Sequence, residues 1–205
     1  MALRYRRLYG TGQEVSEIGV GLWSLVTDEW GARSHLAEDL LRMAYNMGIN
    51  FFDTADVYGK GAGEEAIARA LGSKRDDIIV LTKIGLDFYG CNGIRPHYDI
   101  DYLELALDRS LERLGMGYVD ILLLHNPPMH VIVSSDVREF MSDVKRSGKA
   151  KLVGVALGPT LGWGAEGEAA LRLGYQAIEH IFNVIERLPG AELLNFEAAH
   201  IIRVP

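Results

Sequence analysis

The chain has 205 residues, 48% of them hydrophobic, enough to bury the core of one domain or at most two. Its 28 acidic and 21 basic residues give a formal net charge of −7, which argues against nucleic acid or an anionic membrane as the main partner. The single cysteine, Cys91, excludes an intramolecular disulfide and suits a cytoplasmic setting; Met1 to Gly10 has no apolar core of signal-peptide length, and no run approaches the roughly 20 apolar residues of a membrane span.

Arg4 to Leu8, a turn at Gly10-Thr11-Gly12 and Val15 to Ile18 predict a short β-hairpin. Gly19 to Trp23 predicts a brief, glycine-rich strand. His35 to Met47 has helical period, with Leu36, Leu40, Met43, Ala44 and Met47 on one side and Gly48 as the stop. Ile49 to Asp53 reads as a strand, Glu64 to Leu71 as a helix ended by Gly72, and Ile78 to Lys83 as a strand. Tyr102 to Leu114 is a helix ended by Gly115, with Asp101 as its cap. Val119 to His125 holds four consecutive large apolar residues between polar ones, the pattern of a strand buried on both faces. Asn126-Pro127-Pro128 must end it, because proline cannot continue a central strand. Val137 to Arg146 is a helix stopped by Gly148, and Leu152 to Ala156 a strand. Ala165 to Leu173 is a helix closing at Gly174, and Ala177 to Phe182 a strand. Glu192 to Ala199 is a short helix and Ile201 to Val204 one more strand.

After the hairpin, strand and helix alternate without a linker, which predicts an α/β fold with a parallel sheet and helical crossovers. An open doubly wound sheet and a TIM-type (β/α) barrel both satisfy this. Gly19-Val20-Gly21-Leu22-Trp23 lacks the third glycine of a dinucleotide loop, so the barrel is favoured, as a single domain over residues 1–205.

Three strands end in titratable groups, Asp53, Lys83 and His125, and Tyr58 follows the first of them. In a barrel such strand ends converge on one mouth. A phenol titrates near pH 10, and a nearby ammonium lowers that value. A carboxylate can pair with a buried lysine, and an imidazole can orient a carbonyl oxygen. The set describes a general acid for carbonyl reduction with electrostatic support for the developing alkoxide. Taken singly, each residue also has an ordinary structural explanation, as a turn aspartate, a solvated lysine, a loop tyrosine or a strand-end histidine.

At these residues the chain resembles the aldo-keto reductase family. Gly48-Ile49-Asn50-Phe51-Phe52-Asp53-Thr54-Ala55-Asp56-Val57-Tyr58-Gly59, continuing through Gly61 and Glu64-Glu65 to Ala70-Leu71, is similar to its first signature. Ser110-Leu111-Glu112-Arg113-Leu114 with Tyr118-Val119-Asp120 and His125 is similar to its second, and Leu81-Thr82-Lys83 supplies the lysine. The resemblance implies a (β/α)₈ barrel with a hairpin across its floor. It implies hydride transfer from NADPH or NADH to an aldehyde or ketone, with Tyr58 as proton donor, Lys83 and Asp53 tuning it, and His125 orienting the carbonyl. It also places Leu22, Trp23, Asp53 and the Glu179 position at the cofactor, and Trp23, Tyr58 and His125 at the substrate.

Two departures set a counter-expectation. The family's usual Gly-Val-Ser-Asn reads Gly154-Val155-Ala156-Leu157 here, and its usual glutamine, four residues before Asn183, is Glu179. Ala156 and Leu157 offer no side-chain hydrogen bond, so weak or absent cofactor binding is the alternative. The second departure is length. A full barrel typically needs about 250 residues, so about seven of eight strands are expected here, with exposed sheet edges through which copies can associate. An omitted tail, a truncation and a short natural relative all fit this length, and the abrupt stop in an apolar run favours the first two.

The six histidines show no metal-ligand spacing, so no metal is expected. Trp30, Phe88 and Tyr89 are placed on loops over the mouth, and Cys91 is read as incidental. The competing functions are therefore a carbonyl reductase, a non-catalytic binding or regulatory module, and a lyase or isomerase using Lys83 as a Schiff-base nucleophile.

Overall fold

A computed structural model describes residues 3–27, 36–90, 93–160 and 162–204. The expectations that concern Trp30, Cys91 and the start of the helix at His35 lie outside the described residues.

The N-terminal hairpin pairs β1 (Tyr5–Arg7) with β2 (Glu14–Ser16). Seven parallel strands follow: β3 (Val20–Gly21), β4 (Phe51–Asp53), β5 (Ile79–Ile84), β8 (Val119–His125), β9 (Ala150–Ala156), β10 (Ala177–Ile181) and β11 (Ala199–Arg203). Between β5 and β8 a small antiparallel flap joins β6 (Leu86–Asp87) to β7 (Arg95–Pro96). Each parallel strand is followed in the sheet by the next one in the chain. The order never reverses, as it must in a doubly wound sheet, so the architecture is an incomplete (β/α) barrel.

Period-two alternation sorts the strands' side chains. Ile79, Leu81, Ile121, Leu123, Leu152 and Ala177 form one inner cluster, joined by Phe51 of β4 and Ile201 of β11. Strands from both ends of the sheet thus share one interior, which requires the sheet to curl. Leu8 and Val15 of the hairpin pack into the same cluster, and Lys151 donates to Gln13 (2.9 Å). The hairpin therefore floors the barrel. The opposite faces carry Val80, Leu122, Leu124, Val153 and Val155, which pack against the helices.

The helices are α1 (Trp23–Val26), α2 (Ala37–Asn46), α3 (Ala62–Leu71), α4 (Ile100–Leu114), α5 (Met129–Ile132), α6 (Ser135–Arg146), α7 (Gly164–Arg172) and α8 (Gly190–Leu193). None of the described helices is long and apolar enough to cross a membrane. α4 closes on Gly115 in the left-handed conformation (φ 62°), as its sequence predicts.

Four expectations are corrected. The strand expected from Gly19 to Trp23 is only Val20–Gly21, and Trp23 opens α1. The cap position of α4 is Asp99, not Asp101, which lies in the first turn. The helix expected from Glu192 to Ala199 is Gly190–Leu193. There Asn195 turns its amide onto the carbonyls of Ala191 and Glu192, and Ala199 already pairs with Ala177. The last strand starts at Ala199, two residues before Ile201.

Candidate active site

The polar groups gather at the C-terminal ends of the strands. Beyond Asp53 the chain keeps pairing with β5, through Thr54 N to Leu81 O (2.9 Å) and Asp56 N to Lys83 O (3.1 Å). It then folds into a tight turn over Tyr58–Gly61 in which Gly59, Lys60 and Gly61 all have positive φ. A Cβ on Gly59 would lie 2.6 Å from Val26 O, so glycine is needed both for the backbone and for the space. This turn brings the Tyr58 ring to His125, with centroids 5.7 Å apart and planes at 80°.

Lys83 is wholly buried and points into the barrel, two residues beyond Leu81. Its ammonium donates to Asp53 Oδ1 in a close ion pair and to Thr54 O (3.1 Å). It also lies 3.1 Å from Glu179 Oε2, on the far wall, and 5.1 Å from the centroid of the Tyr58 ring. Glu179 is in turn 3.8 Å from Arg203 Nε, and Arg203 donates to the carbonyls of Leu157 (2.9 Å) and Gly158. The Tyr98 hydroxyl shares its one proton between the carbonyls of His125 (2.7 Å) and Asn126 (3.0 Å), fixing the end of β8.

These contacts set the protonation states. Burial and the Lys83 and Arg203 charges hold His125 well below the usual imidazole value, so it is a neutral ring. Burial, followed by Glu179, pushes Asp53 upward against the pull of Lys83. Tyr58 departs from the sequence expectation. Its hydroxyl is raised above the ordinary phenol value, because burial outweighs the Lys83 ammonium and because Glu179 and Asp53 oppose it. The ammonium is present, as expected, but two carboxylates share its charge.

The structure thus brings Asp53, Tyr58, Lys83, His125 and Glu179 together. Trp23 lies partly exposed after β3. Leu22 is not brought to this cluster: its side chain is wholly buried in the layer between sheet and helices, and only its amide reaches Asp53 O (2.9 Å). Phe88 and Tyr89 stack on each other (4.2 Å), and Arg113 bonds Tyr89 (3.0 Å). Arg203 was missed by sequence reasoning. Its signal was the alternation Ala199, Ile201, Arg203, which puts an arginine on the inner face of the last strand.

The aldo/keto reductase family model matches residues 17–193. The chain belongs to the aldo/keto reductase family. Aldo-keto reductase YhdN of Bacillus subtilis (strain 168) is 31% identical over 157 residues, covering 75% of this chain and 47% of that protein. L-glyceraldehyde 3-phosphate reductase of Escherichia coli (strain K12) is 34% identical over 168 residues, covering 75% and 45%. A solved aldo-keto reductase from Bacillus halodurans, in its holo form, aligns with a TM-score of 0.83 at 27% identity, covering 98% of this chain and 66% of that one. The chain therefore spans about half the length of the curated relatives it matches.

Aldo/keto reductases generally use NAD(P)H, so the departures at Ala156, Leu157 and Glu179 need weighing against this structure. Ala156 and Leu157 are buried and bring no polar side chain. Arg203 Nε is buried with no aligned hydrogen-bond partner among the described residues, and Glu179 Oε2 has none beyond its ion pair with Lys83 at 3.1 Å. One accepts and the other donates, which is what a nicotinamide carboxamide requires. The residues present fit the group through a different pair of side chains.

Proposed function

We propose that this chain carries the catalytic centre of an NAD(P)H-dependent reductase that converts a small aldehyde or ketone to an alcohol. The observation that carries this reading is the convergence of Tyr58, Lys83, Asp53 and neutral His125 at one end of the barrel interior. Relatives named as reductases support an enzyme over a binding module. A cytoplasmic setting fits the single cysteine.

A nicotinamide, when bound, would supply the hydride. Glu179 and Arg203 would hold its carboxamide. Tyr58 gives its hydroxyl proton to the oxygen that gains charge, and His125, being neutral, can donate one hydrogen bond to the same oxygen. The Lys83 ammonium, held by Asp53, stabilises the tyrosinate left behind. Replacing Tyr58 by Phe removes the proton and leaves the ring packing in place. Tyr58→Phe is expected to lower NADPH-dependent aldehyde reduction about 10²- to 10⁴-fold, while tryptophan-fluorescence titration shows cofactor affinity within about threefold of the parent. Undiminished turnover in the variant would remove Tyr58 as the donor.

A further inference from the structure

We propose that Glu179 is a positioning residue of this centre: it takes a share of the Lys83 charge from the opposite wall, holds the proton on Tyr58, and so raises the pH at which the tyrosinate, the base that alcohol oxidation needs, becomes available. The inference rests on the reductase reading for its catalytic consequence, but not for its electrostatics.

The argument begins with geometry. Lys83 on β5 has one carboxylate on each side, Asp53 from β4 and Glu179 from β10, with Glu179 Oε2 at 3.1 Å. Glu179 is buried and aimed inward, since it alternates with Ile178 and His180, which face the other way. Among the described residues, the charged or titratable groups facing Tyr58 are Asp53, Lys83, His125 and Glu179, with Arg203 behind Glu179. His125 is neutral, so the balance at Tyr58 is set by the Lys83 ammonium against two carboxylates, one of which, Glu179, also has the Arg203 guanidinium 3.8 Å away.

A lone ammonium beside a phenol favours the tyrosinate. The first carboxylate offsets part of that effect, and the second offsets more. The hydroxyl therefore stays protonated well into the alkaline range. A protonated Tyr58 is the state that reduces a carbonyl. Oxidation of an alcohol needs the tyrosinate as the base, and that state is the one Glu179 disfavours. Burial alone would also raise the phenol, so the variant must remove the charge without removing the packing. Glu179→Gln does this.

The experiment is an alkaline titration of tyrosinate absorbance on the cofactor-free protein. The Tyr58 contribution is isolated by subtracting the Tyr58→Phe form in each background. Glu179→Gln is expected to move the Tyr58 midpoint down by about one pH unit, a tenfold change in the tyrosinate ratio. Glu179→Asp keeps the charge and is expected to restore most of the parent midpoint. With cofactor and an alcohol, the alkaline limb of the oxidation rate should move down by the same amount in Glu179→Gln. A Tyr58 midpoint unchanged within about 0.3 unit in folded Glu179→Gln overturns the proposal. If that variant does not fold, Glu179→Met, neutral and similar in volume, is read in its place. If the parent turns over no carbonyl compound, the reductase reading fails while the titration still decides the role of Glu179.

Discussion

Replacing Lys83 by Met tests the centre through its energetics. The side chain is wholly buried, and its ammonium contacts Asp53 and Glu179. Met fills a similar volume, so packing changes little and the loss is electrostatic. Breaking a buried ion pair by removing one partner costs about 3–5 kcal/mol, because the remaining charge is left uncompensated. The folded variant can relieve this only by taking up a proton on a carboxylate. The unfolded chain, with its carboxylates near pH 4, does not hold that proton. The folded pKa is thus raised, and the variant loses stability as pH rises from the unfolded value towards the folded one. Asp53 is already pushed upward in the parent, so part of this slope is common to both proteins. Only pH units over which the variant alone carries an extra proton narrow the difference, at about 1.4 kcal/mol each. Urea unfolding, followed by circular dichroism, should show Lys83→Met less stable by about 4 kcal/mol at pH 8, with a deficit about 1–2 kcal/mol smaller at pH 6. A deficit under about 1 kcal/mol at pH 8, or one that does not change with pH, would refute the placement of Lys83 between two buried carboxylates.

Two more predictions concern the scaffold. A Cβ at Gly154 on β9 would fall inside the van der Waals sphere of the Ala177 carbonyl oxygen on β10. Backbone cannot yield as a side chain can, so Gly154→Ala should cost about 3 kcal/mol and lower Tm by roughly 6–12 °C. Gly21→Ala, where a Cβ meets nothing within 4 Å, should cost under about 1 kcal/mol; equal effects at the two sites would contradict the register. Asp56 is buried with neither carboxyl oxygen hydrogen-bonded by a described side chain, and burial with Glu64 nearby raises it well above the usual carboxylate range. Its raised folded pKa makes the parent lose stability as pH rises above the unfolded value near 4. Asp56→Asn should therefore unfold at a higher temperature than the parent at pH 8 and show no such gain at pH 4.

Much of this was legible in the sequence, and the gaps have physical causes. β8 could be read from its unbroken apolar run, since only a strand covered on both faces tolerates one. Asp53, Lys83 and His125 could be read because each stands where an apolar strand ends. The flap of β6 and β7 could not, because two-residue strands have no period; its local ties are the bonds of Arg95 and His97 to Asp87. The direction of the Tyr58 shift was also hidden. The sequence shows the ammonium, but not the burial, nor that Glu179, nearly a hundred residues later, reaches the same lysine.

That last contact explains how the curl and the chemistry depend on the same side chains. Along the sheet, β5 and β10 are separated by β8 and β9, a path of three strand spacings or about 14 Å. Lys83 and Glu179 nevertheless meet at 3.1 Å, across the interior rather than along the sheet. Asp53, Lys83, Glu179 and Arg203 alternate in sign from β4 and β5 to β10 and β11, so each buried charge faces an opposite one. An apolar layer at this height would also hold the walls together, and by the usual balance of desolvation against attraction would do so at least as well. What it would not supply is a proton held on a phenol beside a neutral imidazole. The polar layer sits above Leu81, Leu123 and Ala177, which carry the apolar burial, and this division lets the strand ends be charged without loss of the core.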